Sequence, residues 1–411
     1  MVKKRAHARL NLAFLLVIAA TVPGCGSAAL PSSNTPPSNN TPPSNVTPTR
    51  MLVAADMMNN RVLVYSVPFG TNQPASFVLG QSDFTHNDEL TTANGLPLPT
   101  AVAMDSNGNI YVAQRAICRV TRFTPPLSNG MSPSLVLGAP DFTTTGACGT
   151  SATFFGMTYG MATDLSGNLW LSDSWSNRLL QFRAPLSNGM AAAVVLGQPD
   201  FSSSYPNSDG QASASTTNFP AGMTVDPQGN LWVADVNNNR VLQFRPPFTI
   251  GMAASLVLGQ ADFADVLCNR GADVSAATIC GPFGLTFDAQ GNLWVADSGN
   301  SRILQFRPPF TCGMAASLVL GHSDFSDASS PWPPTSSSVW PVSLAFDSNG
   351  RLLVAEGNAD RISVFAPPFS NGMAASIVIG QPEFSSGEPN QGGGATPAVN
   401  TLSFPVSIAT W

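Results

Sequence analysis

Residues 282–325 read PFGLTFDAQGNLWVADSGNSRILQFRPPFTCGMAASLVLGHSDF, and residues 220–263 repeat them almost letter for letter. The unit breaks into four short apolar runs. GLTFD at 284–288 ends at a turn, Ala289-Gln290-Gly291-Asn292, where glycine tolerates positive φ. LWVAD at 293–297 alternates as a strand does, and a polar SGNS loop leads to RILQF at 302–306. Pro308 and Pro309 stop that run, because proline has no ladder donor. SLVLG at 317–321 is the outer strand. A helix reading fails, since the apolar positions follow period two and the Gly/Pro punctuation is dense.

The same unit extends over the chain from residue 51. One arginine marks each copy: Arg61, Arg119, Arg178, Arg240, Arg302 and Arg361, spaced 58, 59, 62, 62 and 59 residues apart. A period this long with four strands per unit predicts propeller blades. The first-strand type occurs at 100–105, 158–164, 221–226, 283–288, 342–347 and 405–410, whereas the first blade has no inner strand before it. The C-terminal FPVSIATW therefore supplies the inner strand of blade one and closes the ring, removing exposed edges. The expected fold is all-β: a six-bladed β-propeller with four-stranded blades over 51–411.

The pattern P-x-G-x-x-x-D-x-x-G-N-L-W-V-A-D-x-x-N-N-R-x-L-Q-F resembles the NHL-repeat family of β-propellers. The resemblance implies the fold. It leaves function open among binding modules, receptor sensor domains and some enzymes. Zinc-dependent amidating lyases and calcium-dependent lactonases resemble this fold. Only His86 and His322 lie outside the N-terminal segment, which is poor material for a three-ligand zinc site. A lactonase would need carboxylates at the channel mouth. Thr100, Thr158, Ala221, Phe283, Val342 and Val406, which start the inner strands, cannot ionise. The sequence thus predicts no catalytic residues, no metal ligands and no cofactor; calcium enters only under the alternative of a lactonase-like hydrolase or lyase.

Charged residues make up only 10% of the 411, against roughly 25% in an average soluble domain. Lys3, Lys4, Arg5 and Arg9 open the chain and no lysine follows, while acids outnumber bases 24 to 18. Such a chain lacks the electrostatic footprint of a nucleic-acid binder. Residues 1–25 read as a signal peptide: a basic start, an apolar run from Leu10 to Val22 too short for a membrane span, then Val22-Pro23-Gly24-Cys25. This end resembles the lipobox of bacterial lipoproteins, with Cys25 as the acylated residue, although Pro23 departs from the pattern. Ordinary secretion with cleavage near Ala29 is the other reading. Residues 26–50, containing NTPPSNNTPPSNVTPT, read as a disordered tether. The expected protein is a monomer, exported and lipid-anchored in the bacterial cell envelope. Gly26, where inner-membrane retention often shows Asp, favours the outer membrane.

The Asp105, Asp164, Asp226, Asp288 and Asp347 series is read as turn capping rather than a metal ring. The Asp56, Asp173, Asp235, Asp297 and Glu356 series, with the repeated arginine, is read as ordering the next loop. Phe84, Phe142, Phe201, Phe263, Phe325 and Phe384, in the G-Q-x-D-F extension, are read as inter-blade wedges. Cys268 and Cys280 share one inter-blade loop and are expected to pair. Cys118 and Cys148 flank one blade on the same face and are expected to pair too, leaving Cys312 unpaired.

Function is expected where the repeats differ, in the inter-blade loops on one face: 84–99, 142–157, 201–220, 263–282, 325–341 and 384–405. The candidate binding residues there are His86, Tyr205, Arg270, Trp332 and Trp340, facing an unknown protein, peptide or glycan. Trp332 and Trp340 either anchor such a partner or cap the core of their own loop.

Overall fold

The computed structural model describes residues 50–144 and 148–411. The segments read as signal peptide and, up to residue 49, as tether, with Cys25, lie outside the described residues. Six four-stranded antiparallel sheets form a ring. Blade 5 runs Pro282–Phe287, Leu293–Asp297, Arg302–Phe306 and Leu318–Leu320 from the axis outward. Blade 4 repeats it with Pro220–Val225, Leu231–Asp235, Arg240–Phe244 and Leu256–Leu258. Blades 2, 3 and 6 follow the same order, and the only helical elements among the described residues are short 3-10 turns. In blade 1 the inner strand is Pro405–Thr410, paired antiparallel with Met51–Asp56, so the last strand of the chain closes the ring. The outer strands have three residues each, shorter than the five expected. Gly259 and Gly321, at φ 87° and 97°, turn the chain away at the end of the run.

Why the chain folds this way is visible in one hairpin. Asp226 Oδ1 accepts the N–H groups of Gln228 and Asn230, and Oδ2 accepts the Trp232 indole N–H at 2.9 Å. Gly229 takes φ 81° at the turn. The carboxylate thus shapes the turn and satisfies the only polar atom of a tryptophan side chain that is wholly buried. Asp105, Asp164, Asp288 and Asp347 accept the equivalent turn N–H groups. Trp170, Trp232 and Trp294 then pack edge-on against Phe248, Phe310 and Phe369 of the following blade, with centroids 4.8–4.9 Å apart.

One hydrophobic cluster fills each of the six junctions between blades. Phe84, Phe201, Phe263, Phe325 and Phe384 pack against these clusters, as wedges do. At the axis the inner strands meet through small residues. A Cβ on Gly160 would stand 2.1 Å from the Ala221 carbonyl oxygen, and one on Gly222 would stand 2.2 Å from that of Phe283. On the other half of the ring Ser343 Oγ accepts the N–H of Ile408, and Ser407 Oγ that of Val102. Glycine contacts on one half and serine contacts on the other bring the inner strands together around a cavity of ≈ 270 Å³.

Candidate functional site: the inter-blade loop face

A buried arginine anchors each loop, and in five of the six blades it does so through an ion pair. In blade 4, Arg240 Nε meets Asp235 Oδ2 at 2.8 Å with both side chains fully buried. The guanidinium also donates to the carbonyls of Ser213 and Thr216 in the preceding inter-blade loop and of Phe263 in the next. Asp235 Oδ1 accepts the N–H of Asn218 at 2.7 Å. One pair therefore ties its own turn to the loops on either side. Blades 1, 3, 5 and 6 repeat the pair with Asp56, Asp173, Asp297 and Glu356. In blade 2 Arg119 bonds the neutral Gln114 instead, at 2.9 Å, and burial lowers its pKa.

The glutamine of the G-Q-x-D-F extension is a second tie. Gln198 Nε2 donates to the carbonyls of Asn177 and Tyr205, and Gln81, Gln260 and Gln381 make the matching pair of bonds. His322 stands in that register and reaches Asn300 O at 3.3 Å. Disulfides join Cys118 to Cys148 and Cys268 to Cys280 on this face. The expectation of an unpaired Cys312 is not met, as no described cysteine is free.

On this framework the candidate residues take different places. Trp332 and Trp340 come together, stacked with planes 6° apart and centroids 5.2 Å apart. Trp332 is 54% exposed. His86, Tyr205 and Arg270 sit in the loops after blades 1, 3 and 4. Tyr205 is exposed. His86 is exposed and bonds Asp83 at 2.7 Å, and this carboxylate raises its pKa. Arg270 is held inward, donating to Gly259 O at 3.1 Å and Gly313 O at 3.2 Å, which makes it a loop tie.

Two features escaped the sequence reading. Trp175 and Met58, at the tips of the turns between second and third strands, are 66% and 51% exposed. Other blades place Ala116, Asn237, Gly299 and Asn358 at that position, so a break in the repeat was the available signal. At the channel mouth Tyr159 packs against Phe219 and Phe283, with centroids 5.6 and 5.7 Å apart. That contact joins the inner strands of blades 3 and 5 with the start of blade 4, which are far apart in sequence.

The face is acidic. Thr85 and Ser202 bond Asp83 and Asp200, and Thr143 and Thr144 bond Asp141, holding all three carboxyls down to about 2. The opposite face exposes Arg183, Arg245 and Arg307 at one register of three consecutive blades. Among the described residues no three His, Cys, Asp or Glu side chains converge closely enough to hold a metal ion. No helix among them is long and apolar enough to cross a membrane.

Residues 217–244 and 280–306 each match the NHL repeat. No curated protein matches the chain in sequence. Among solved structures, a chain of the nidogen–laminin complex superposes with a TM-score of 0.51 at 16% identity, covering 88% of this chain and 98% of that one. A protein of unknown function from Bacteroides caccae covers the same shares at 9% identity and a TM-score of 0.49. Catalytically inactive virginiamycin B lyase from Staphylococcus aureus, crystallised with quinupristin, gives 0.43 at 12% identity over 81% of this chain and 87% of that one. At these identities the first shows a shared fold.

Proposed function

We propose that this NHL-repeat propeller is a binding module of the cell envelope that captures a protein, peptide or glycan on its inter-blade loop face. One observation carries the reading. Met58, Leu90, Trp175, Tyr205, Leu267 and Trp332 are the large apolar side chains exposed on that face, against Leu165 and Ile250 on the other. Single exposed apolar residues are ordinary on any surface. Their concentration on one rigid face is the mark of an interaction site. The surrounding carboxylates turn anionic partners away and suit neutral or basic ones.

Export and a lipid on Cys25 complete the proposal, and the two disulfides fit an oxidising compartment. Labelling with a fatty acid tests the anchor: label lost in Cys25→Ser supports it, and label kept refutes it.

The binding test uses the full mature chain against isolated peptidoglycan sacculi and against an immobilised envelope-protein fraction. Trp175→Ala with Tyr205→Ala should reduce retention on one of them, and Leu165→Ala with Ile250→Ala should leave it unchanged. Equal loss in both variants would remove the loop face from consideration. Calcium-dependent opening of a lactone by the chain would replace binding with catalysis.

A further inference from the structure

We infer that the notch between the loops after blades 5 and 6 is a carbohydrate subsite with Trp332 as its platform. This rests on the reading of the loop face as a binding surface and names the ligand class for one part of it. The notch has a volume of ≈ 350 Å³ and is lined by Trp332, Pro333, Gln381, Ser386, Glu388 and Gln391 among others. Trp332 lies flat on Trp340, so one face of its indole is taken and the ring is still more than half exposed. Gly387 fixes its rim: a Cβ there would stand 2.9 Å from the indole, so only a bare backbone lets the ring reach across to the blade 6 loop.

A second observation is independent of the tryptophan. Gln381 is fully buried, and its Nε2 bonds Asp360 O at 3.0 Å and Glu388 O at 2.9 Å, but its Oε1 has no partner. In blade 3 the matching oxygen, Gln198 Oε1, accepts the hydroxyl of Ser208 at 3.1 Å. Blade 6 has Gln391 where Ser208 stands, and its amide is turned to Asn72 Oδ1 and Asn400 O. Blade 6 thus keeps the acceptor and lacks the hydroxyl. Gln81 and Gln260 also have an unpartnered Oε1, and Gln381 is the one that lies beside the Trp332 platform.

The combination selects for a sugar ring. A flat indole with one open face takes the C–H face of a pyranose, because its negative quadrupole attracts the weakly positive C–H edge. A single platform does not form the cage of several aromatic walls that holds a quaternary ammonium. Hydroxyl, amide and carboxylate groups beside it match the alternating donors and acceptors of sugar hydroxyls. An acidic sugar is disfavoured by Glu388 and the acidic face, so the expected ligand is a neutral or N-acetylated oligosaccharide.

The test is a glycan array of neutral, N-acetylated and uronic-acid oligosaccharides probed with the full mature chain, followed by titration of the retained glycan. Trp332→Ala should weaken binding about tenfold, with the fold intact because the side chain is exposed. Gly387→Ala, which displaces the indole without removing it, should weaken it in the same direction. If no glycan is retained, or if Trp332→Ala binds as well as the parent, the subsite is overturned. Binding that survives Trp332→Ala and fails in Trp175→Ala with Tyr205→Ala would overturn the subsite and leave the loop-face reading standing. Trp332-dependent capture of an arginine nonapeptide without any glycan would also overturn it, making the notch a cation site.

Discussion

Asp360 Oδ1 accepts the backbone N–H of Phe404 at 2.6 Å, in a left-handed turn that three other blades build with asparagine. Asn60, Asn177 and Asn239 accept the matching N–H of Leu98, Phe219 and Gly281. Each also donates through Nδ2 to a carbonyl 27 residues on, at Asn87, Ser204 and Val266. The residue at that spacing in blade 6 is Gly387, and an ionised Asp360 has no proton to offer it.

Burial pushes the Asp360 carboxyl up to about 7, with Asp56 and Glu388 adding to the rise. Its folded-state pKa is above the unfolded value of 3.8, so the stability it contributes is full below pH 3.8 and is lost as the pH rises through 7. Asp360→Asn supplies a permanent donor and removes the charge. The variant's gain should be small at pH 3 and grow to on the order of 4 kcal/mol at pH 8, read from urea melts. Equal gains at both values would show that ionisation is not the cause.

The arginine register offers an internal comparison. Removing Arg240 as Arg240→Leu leaves the Asp235 carboxylate buried without its counterion, which should cost about 3–5 kcal/mol. Arg119→Leu leaves only the Gln114 amide, a neutral group, so the loss should be nearer 1–3 kcal/mol. Both variants lose the carbonyl contacts that tie neighbouring loops, so the difference between their urea midpoints isolates the carboxylate. No difference would mean that those carbonyl contacts carry the whole effect.

The blade count and ring closure were legible because each strand carries its own local signal. Alternating runs such as LWVAD, the D-x-x-G-N turn and a surplus C-terminal strand are all readable without knowing any contact. The loop-ordering role of Asp235 and Arg240 was legible for the same reason, since the two recur together five residues apart across one turn. The role of the extension glutamine was not. Gln198 bonds carbonyls at Asn177 and Tyr205, and backbone acceptors leave no trace in residue identity. Arg270 reads as a free cation in a variable loop, yet Gly259 and Gly313 carbonyls hold it. Trp332 and Trp340 were legible as a pair, but which of them is exposed depends on the stacking order and on the missing side chain at Gly387.

The disulfides close loops of different length. Cys268 and Cys280 are 12 residues apart and Cys118 and Cys148 are 30 apart. Chain entropy gives each bridge about 3 kcal/mol, with the longer loop gaining somewhat more. Cys118→Ser with Cys148→Ser should therefore lower the urea midpoint further than Cys268→Ser with Cys280→Ser. The reverse order would point to the native-state contact at Cys280, whose N–H bonds Asp297 at 2.7 Å, as the larger contribution.

Close approach at the axis makes a sharper demand than any loop. The Gly222 position lies over the backbone of blade 5, where a methyl would meet the Phe283 carbonyl and the Gly284 Cα, neither of which can rotate away. Gly222→Ala must push two inner strands apart, and overpacking of that kind costs about 1–3 kcal/mol. Gly70 has nothing within 4 Å of the same methyl, so Gly70→Ala is a matched control and should leave the midpoint unchanged or slightly raised. Urea melts of the two variants decide the point. If Gly222→Ala is as stable as Gly70→Ala, the ring has slack at its centre, and the small residues along the axis are not what sets its radius.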